Sequence, residues 1–163
     1  MPGWWSQKVR RTWSYVRARI SPAERRALAD WLTPAQLDVF DGMPAADRRH
    51  GLDVVAWLRS RGAADPDLLA AGLLHDSGKG HHARLPHRVA WSLGERYGAW
   101  VWRLVRPVPT FAMALRQLRD HAEQSARLAE HAGCTPRTVE LIRHQNLPLD
   151  EAGRLLHEAD EAN

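Results

Sequence analysis

Cysteine is nearly absent from this chain of 163 residues: Cys134 is alone, so no internal disulfide can form and nothing points to an oxidising compartment. Long apolar runs are missing too, and no stretch approaches the roughly 20 residues that a membrane-spanning helix needs. The start, MPGWWSQKVRR, has neither the apolar core nor the small-residue cleavage site of a secretory leader. Pro2 breaks the myristoylation pattern, so a cytoplasmic protein is expected. Period-two alternation is scarce, which leaves little room for half-buried strands. Acidic residues are scarce at the start, where Lys8, Arg10, Arg11, Arg17, Arg19, Arg25 and Arg26 face only Glu24. A basic end suits phosphates, nucleic acid or a lipid surface.

The composition, 44% hydrophobic and 26% charged, belongs to an ordinary folded domain. Helix punctuation runs along the whole chain. Trp4, Trp5, Val9, Trp13, Val16 and Ile20 fall at helical spacing in a basic first helix. Ser21-Pro22-Ala23-Glu24 and Thr33-Pro34-Ala35-Gln36 each read as a capping residue, an N1 proline and a capping-box partner. Further helices are expected from about Ala45 to Arg61, from Asp65 to His75, over 86–106 and 110–132, from Thr135 to Gln145 and over 150–161. The expectation is an all-α bundle of seven to nine helices in one domain.

Five ionisable residues sit on apolar stripes of five helices. His50 shares a stripe with Val54 and Trp57 or Leu58, and His75 ends the run LLAAGLL. His121 continues Phe111, Leu115 and Leu118; His144 follows Leu141 by three; Asp160 follows Leu156 by four. A lone histidine on an apolar face is more often a satisfied core residue than a ligand. A set of such groups is costly to bury unless hydrogen-bonded, paired or metal-bound. Facing helices that project imidazole and carboxylate inward build metal sites, and the absence of a thiolate set excludes a structural zinc finger.

The stretch DRRHGLDVVAWLRSRGAADPDLLAAGLLHDSGKG resembles the front half of the HD superfamily of metal-dependent phosphohydrolases. That family is named for a His…His-Asp…Asp ligand set on an all-α fold. The matching positions are His50, then His75 with Asp76, then Asp160, and the resemblance covers about 45–161. It divides the chain into basic N-terminal helices over 1–44, packed on the core, and a metal-binding domain over 45–163. DHAEQSARLAEHAG and ELIRHQN resemble the further motifs of binuclear members, which makes His121 and His144 ligands of a second metal and Asp76 the bridge. Gln145 stands where several relatives have another histidine, which weakens that second site. No Gly-Tyr-Pro triad is present, and Gly78-Lys79 replaces the Glu-Asp pair of alarmone hydrolases, so both of those branches are disfavoured. The layout is similar to that of the small diadenosine tetraphosphate hydrolases.

The resemblance implies one or two divalent ions (manganese, iron, magnesium, cobalt or nickel) and hydrolysis of a small phosphorylated substrate, a nucleotide by preference, by a metal-activated hydroxide. Asp76 and Lys79 would act at the reaction centre, with Lys79 on the phosphoryl oxygens and His82 or His81 protonating the leaving oxygen. Glycine on both sides of Lys79 allows close approach to a phosphate. Arg48 and Arg49 either reach substrate phosphate or form a solvated helix face; His81 and His82 either serve the chemistry or face solvent. His157 has the position of a supporting partner to Asp160. The tryptophan-rich basic start either packs on the bundle or meets an anionic membrane or nucleic acid. A catalytically silent module of the same fold is the alternative to an enzyme.

Overall fold

The computed structural model describes residues 19–81, 85–105 and 107–163. The expected helix over 4–19, with its membrane or nucleic-acid alternatives, and His82 lie outside the described residues. Among the described residues the chain is all-helical, with nine α-helices, one 3-10 turn and no strand.

The caps explain where the helices begin. Ser21 caps α1 (Pro22–Leu28) and Thr33 caps α2 (Pro34–Asp41), and both capping boxes close reciprocally. Each box satisfies donors that a helix start leaves without a partner. Helix α3 (Ala45–Ser60) stops before Gly62, whose φ of 84° suits a residue without Cβ. Asp65 caps α4 (Pro66–Leu74), Thr135 caps α8 (Pro136–Arg143) and Asp150 caps α9 (Glu151–Ala162). The stretch expected as helical over 86–106 is two helices, α5 (Leu85–Tyr97) and α6 (Trp100–Val105), followed by the long α7 (Pro109–His131). They part at Gly98, where φ reaches 106°, a value that ends a right-handed helix.

Helix α4 is the axis of the bundle. Every residue from Leu68 to Leu74 is buried, which accounts for a segment that is apolar on all sides rather than along one stripe. Helices α3, α8 and α9 pack around it, and α2 touches it as well. Leu28 and Phe40 from the first two helices join Val54, Leu58, Leu73, Ile142 and Leu156 in one cluster. Full burial of a side chain such as Leu58 stabilises by about 1.5–3 kcal/mol. Gly51 sets how closely α3 and α4 approach, because a Cβ there would stand 2.5 Å from the Leu73 carbonyl oxygen. Among the described residues no helix is long and apolar enough to cross a membrane.

The chain leaves the buried end of α4 through His75 and Asp76 into the 3-10 turn Ser77–Lys79, which lies on α7. The polar residues that follow the axis are therefore carried into the interior by a helix buried on all sides.

Candidate metal centre

Four helix segments bring the expected ligands together. His50 comes from the middle of α3, His75 from the cap of α4, Asp76 from the start of the 3-10 turn and Asp160 from the last turns of α9. One donor atom each from His50, His75 and Asp160 lies within 4.8 Å of the others, a grouping that can hold a metal ion. Asp160 Oδ1 is 2.8 Å from His50 Nε2 and 3.6 Å from His75 Nε2. Asp76 faces the same group, with Oδ2 3.9 Å from His50 Nε2 and Oδ1 3.5 Å from His75 Nε2. His75 and Asp76 form a buried floor, and His50, Asp160, Lys79 and His121 form a partly exposed rim.

The ring orientations are fixed by the backbone. His75 Nδ1 donates to the Gly72 carbonyl at 3.0 Å, and His121 Nδ1 donates to the Leu118 carbonyl at 2.5 Å. A carbonyl oxygen only accepts, so Nδ1 carries the hydrogen in both rings and Nε2 faces the centre. Support of this kind for the far ring nitrogen is how proteins orient ligand histidines.

Two atoms at the centre, His75 Nε2 and Asp76 Oδ1, are buried without a hydrogen-bond partner. An unsatisfied buried polar atom costs about 1–3 kcal/mol. A cation between or beside them would satisfy both. Imidazole nitrogen together with carboxylate oxygen suits divalent first-row ions, so the residues present fit such a group.

The electrostatics agree in sign. Burial pulls the His75 imidazole down, but the Asp76 and Asp160 carboxylates outweigh it and lift the ring to about 9. Burial opposes ionisation of Asp76, yet His75, Lys79 and His50 hold it well below the usual carboxylate range. Asp160 is likewise held low against burial by its hydrogen bond from His50 and by the charge of His75. The field that attracts a proton to His75 Nε2 also attracts a divalent ion, and the two compete. Lys79 donates to Asp76 Oδ2 at 2.5 Å, and the Asp76 and Asp160 charges keep it an ammonium despite burial. Burial lowers the His121 pKa and the Lys79 charge adds to the effect, which favours the neutral, ligating ring.

His121 Nε2 lies 3.8 Å from Asp76 Oδ1, beside the first cluster. His144 stands at the C-cap of α8, and the imidazole pairs to Asp76 come from His50, His75 and His121. Arg49 is committed elsewhere. Its guanidinium pairs with Glu24 at 2.6 Å and Asp53 at 2.9 Å, tying α3 to α1 and to its own next turn. Arg48 reaches Asp41 at 3.8 Å. His81 is exposed, with Nε2 3.0 Å from the Gly42 carbonyl oxygen, so its ring serves to link two loops. His157 Nδ1 donates to the Gln145 carbonyl at 3.1 Å.

Gly78 has a role other than admitting a phosphate, because the space beside it belongs to α7. A Cβ there would collide with the His121 carbonyl, the Ser125 amide and Gln124. Its own N–H donates to the buried Ser125 hydroxyl at 2.8 Å. The supporting residues are the ones that sequence reasoning did not assign. Gln145 is buried and donates to the His75 carbonyl at 3.1 Å. Asp47, one turn before His50, is buried and holds Arg88 of α5 in a two-pronged pair at 2.6 Å and 2.6 Å. Asp47 could have been suspected from its i, i+3 relation to His50; nothing in the sequence pointed to Arg88.

Compared with models of protein families, with curated proteins and with solved structures, the chain finds no match.

Proposed function

We propose that this protein is a metal-dependent phosphohydrolase of the cytoplasm that cleaves a phosphoester or phosphoanhydride of a small phosphorylated substrate, by preference a nucleotide. The observation that carries the reading is the meeting of His50, His75, Asp76 and Asp160 around two buried atoms without partners. The order of these residues in the chain is that of the HD superfamily, which supplies the reaction class.

His50, His75, Asp76 and Asp160 would hold the first divalent ion, drawn from manganese, iron, magnesium, cobalt and nickel. His121 stands where it would serve a second ion beside Asp76. When bound, such an ion acidifies water and offsets charge on phosphoryl oxygens. The chain's own residues do the rest. Asp76 stays a carboxylate at the floor, its one charge shared by two oxygens, so it can serve two partners at once. Lys79 remains a cation at the rim, 22% exposed, within reach of an anionic group entering from solvent. The main-chain carbonyls of Gly72 and Leu118 prevent the ligand rings from turning, so the site is organised before substrate arrives.

One observation favours a silent module instead. Lys79 on Asp76 and a protonated His75 between the carboxylates would balance charge without any metal. Hydrolysis assays with each of the five ions, on a nucleotide panel and on bis(p-nitrophenyl) phosphate, separate the readings. Turnover that depends on a divalent ion and falls by about 10³-fold or more in Asp76→Ala is expected. Absence of hydrolysis with every ion, in folded protein, would leave the silent module standing.

A further inference from the structure

Helix α6 lies at the surface. It is almost wholly apolar, WVWRLV, yet not one of its residues is buried. Trp100 and Leu104 stand one turn apart on the same side, 57% and 68% exposed. Tyr97 before them, and Val108 and Met113 after them, are 50%, 48% and 52% exposed. Trp100 Nε1 donates to the Tyr97 carbonyl, so the indole is held in place at the surface. Beneath it the helix is anchored, because Trp102 stacks on Trp91 at 4.9 Å and its Nε1 donates to the Trp91 carbonyl. Gly94 provides the room, since a Cβ there would strike the Trp102 ring.

Charge around this face is mainly positive, although Arg88 is paired with Asp47 and Arg119 with Asp120. Between residues 85 and 119 the sequence carries six arginines and a single acidic residue, Glu95. Arg96, Arg103 and Arg116, carried by the same three helices, are exposed. We infer that the α5–α6–α7 face seats the protein on an anionic lipid surface, with Trp100, Leu104 and Val108 entering the interface and the arginines on the headgroups. Aromatic and aliphatic side chains rimmed by arginine form the composition that interfacial elements use.

The other occupants fit less well. A second copy docked on the same face across a two-fold axis would bring Arg96, Arg103 and Arg116 against like charge. A single-stranded nucleic acid rewards stacking aromatics and gives nothing to Leu104, Val108 and Met113. Lipid takes both the aliphatic side chains and the charge.

The test is sedimentation of the full chain with phosphatidylcholine vesicles, with and without phosphatidylserine, at low and high salt. Binding that requires phosphatidylserine and weakens with salt is expected. Trp100→Ser with Leu104→Asn changes only exposed side chains, and about a tenfold or greater loss of binding is expected. Arg103→Glu should cost about as much, through headgroup charge. Circular dichroism establishes that each variant is folded. Several results overturn the inference: no binding to phosphatidylserine vesicles, or binding that survives both variants but is lost in Trp4→Ser/Trp5→Ser/Trp13→Ser. Two further results do the same: retention of an oligothymidylate in place of vesicles, or a dimer in solution that only the Trp100/Leu104 variant dissociates.

Discussion

Replacing Gly78 with alanine tests how the metal centre is positioned. The 3-10 turn that carries Asp76 and Lys79 is pressed on α7 at this residue. The atoms a Cβ would meet are the His121 carbonyl and the Ser125 amide as well as Gln124, so backbone has to move. Forcing a methyl group into a filled space costs about 1–3 kcal/mol. Separating the segments also weakens the bond from Gly78 N–H to the Ser125 hydroxyl, now 2.8 Å, worth about 0.5–1.5 kcal/mol more. The expected loss is about 2–4 kcal/mol, a large share of the 5–15 kcal/mol typical of a domain. For a chain of this size that lowers the melting temperature by about 5–15 °C. Urea unfolding of chelator-treated protein, followed by circular dichroism, measures it. Gly133→Ala is the comparison, because φ is 74° there but no atom lies within 4 Å, so only backbone strain of about 1–2 kcal/mol is added. If Gly78→Ala is the milder of the two, α7 does not set the height of the turn, and the proposed support of Asp76 fails.

Two further outcomes follow from the charges. His75 is lifted in the folded protein to about 9 from an ordinary 6.5, so its proton stabilises the fold fully below 6.5 and is lost as pH rises through 9. Chelator-treated protein should therefore lose on the order of 3 kcal/mol between those limits, and His75→Asn should flatten the profile of urea midpoint against pH; an unchanged profile would remove the carboxylate field from the account. Asp47→Ala deprives Arg88 of its two-pronged partner and should cost about 2–4 kcal/mol, with the side chain of Arg88 being 18% exposed. The double change Asp47→Leu with Arg88→Met should cost less than the single one in thermal melts, and a larger cost would mean that the ion pair itself carries the stability.

Much of this architecture can be read locally. Ser21, Thr33, Asp65, Thr135 and Asp150 all cap the helices they precede, because a cap depends on residues within three positions. The break at Gly98 was harder, since a glycine inside an apolar, aromatic run does not reveal its φ until the helices pack. The stripe argument placed His50, His75, His121 and Asp160 on inward faces, and the fold brings them to one place. His144 stands one residue beyond the last helical residue, Arg143, at the C-cap, so helical spacing alone does not set its direction. Distances across the chain were not legible. Gln145 meets the carbonyl of His75 across 70 positions, and Arg88 meets Asp47 across 41, through contacts that no local period encodes.

The central claim is that His50, His75, Asp76 and Asp160 hold a divalent ion, and metal content tests it most directly. Protein purified without chelator, or stripped and dialysed against manganese or iron(II), should retain at least one equivalent by elemental analysis, with release of a proton on binding. His75→Ala and Asp76→Ala should lose it, His121→Ala should lose only what exceeds one equivalent, and His144→Ala should lose nothing. Folded wild-type protein that retains no ion, or a His75→Ala variant that retains as much as wild type, would contradict the account.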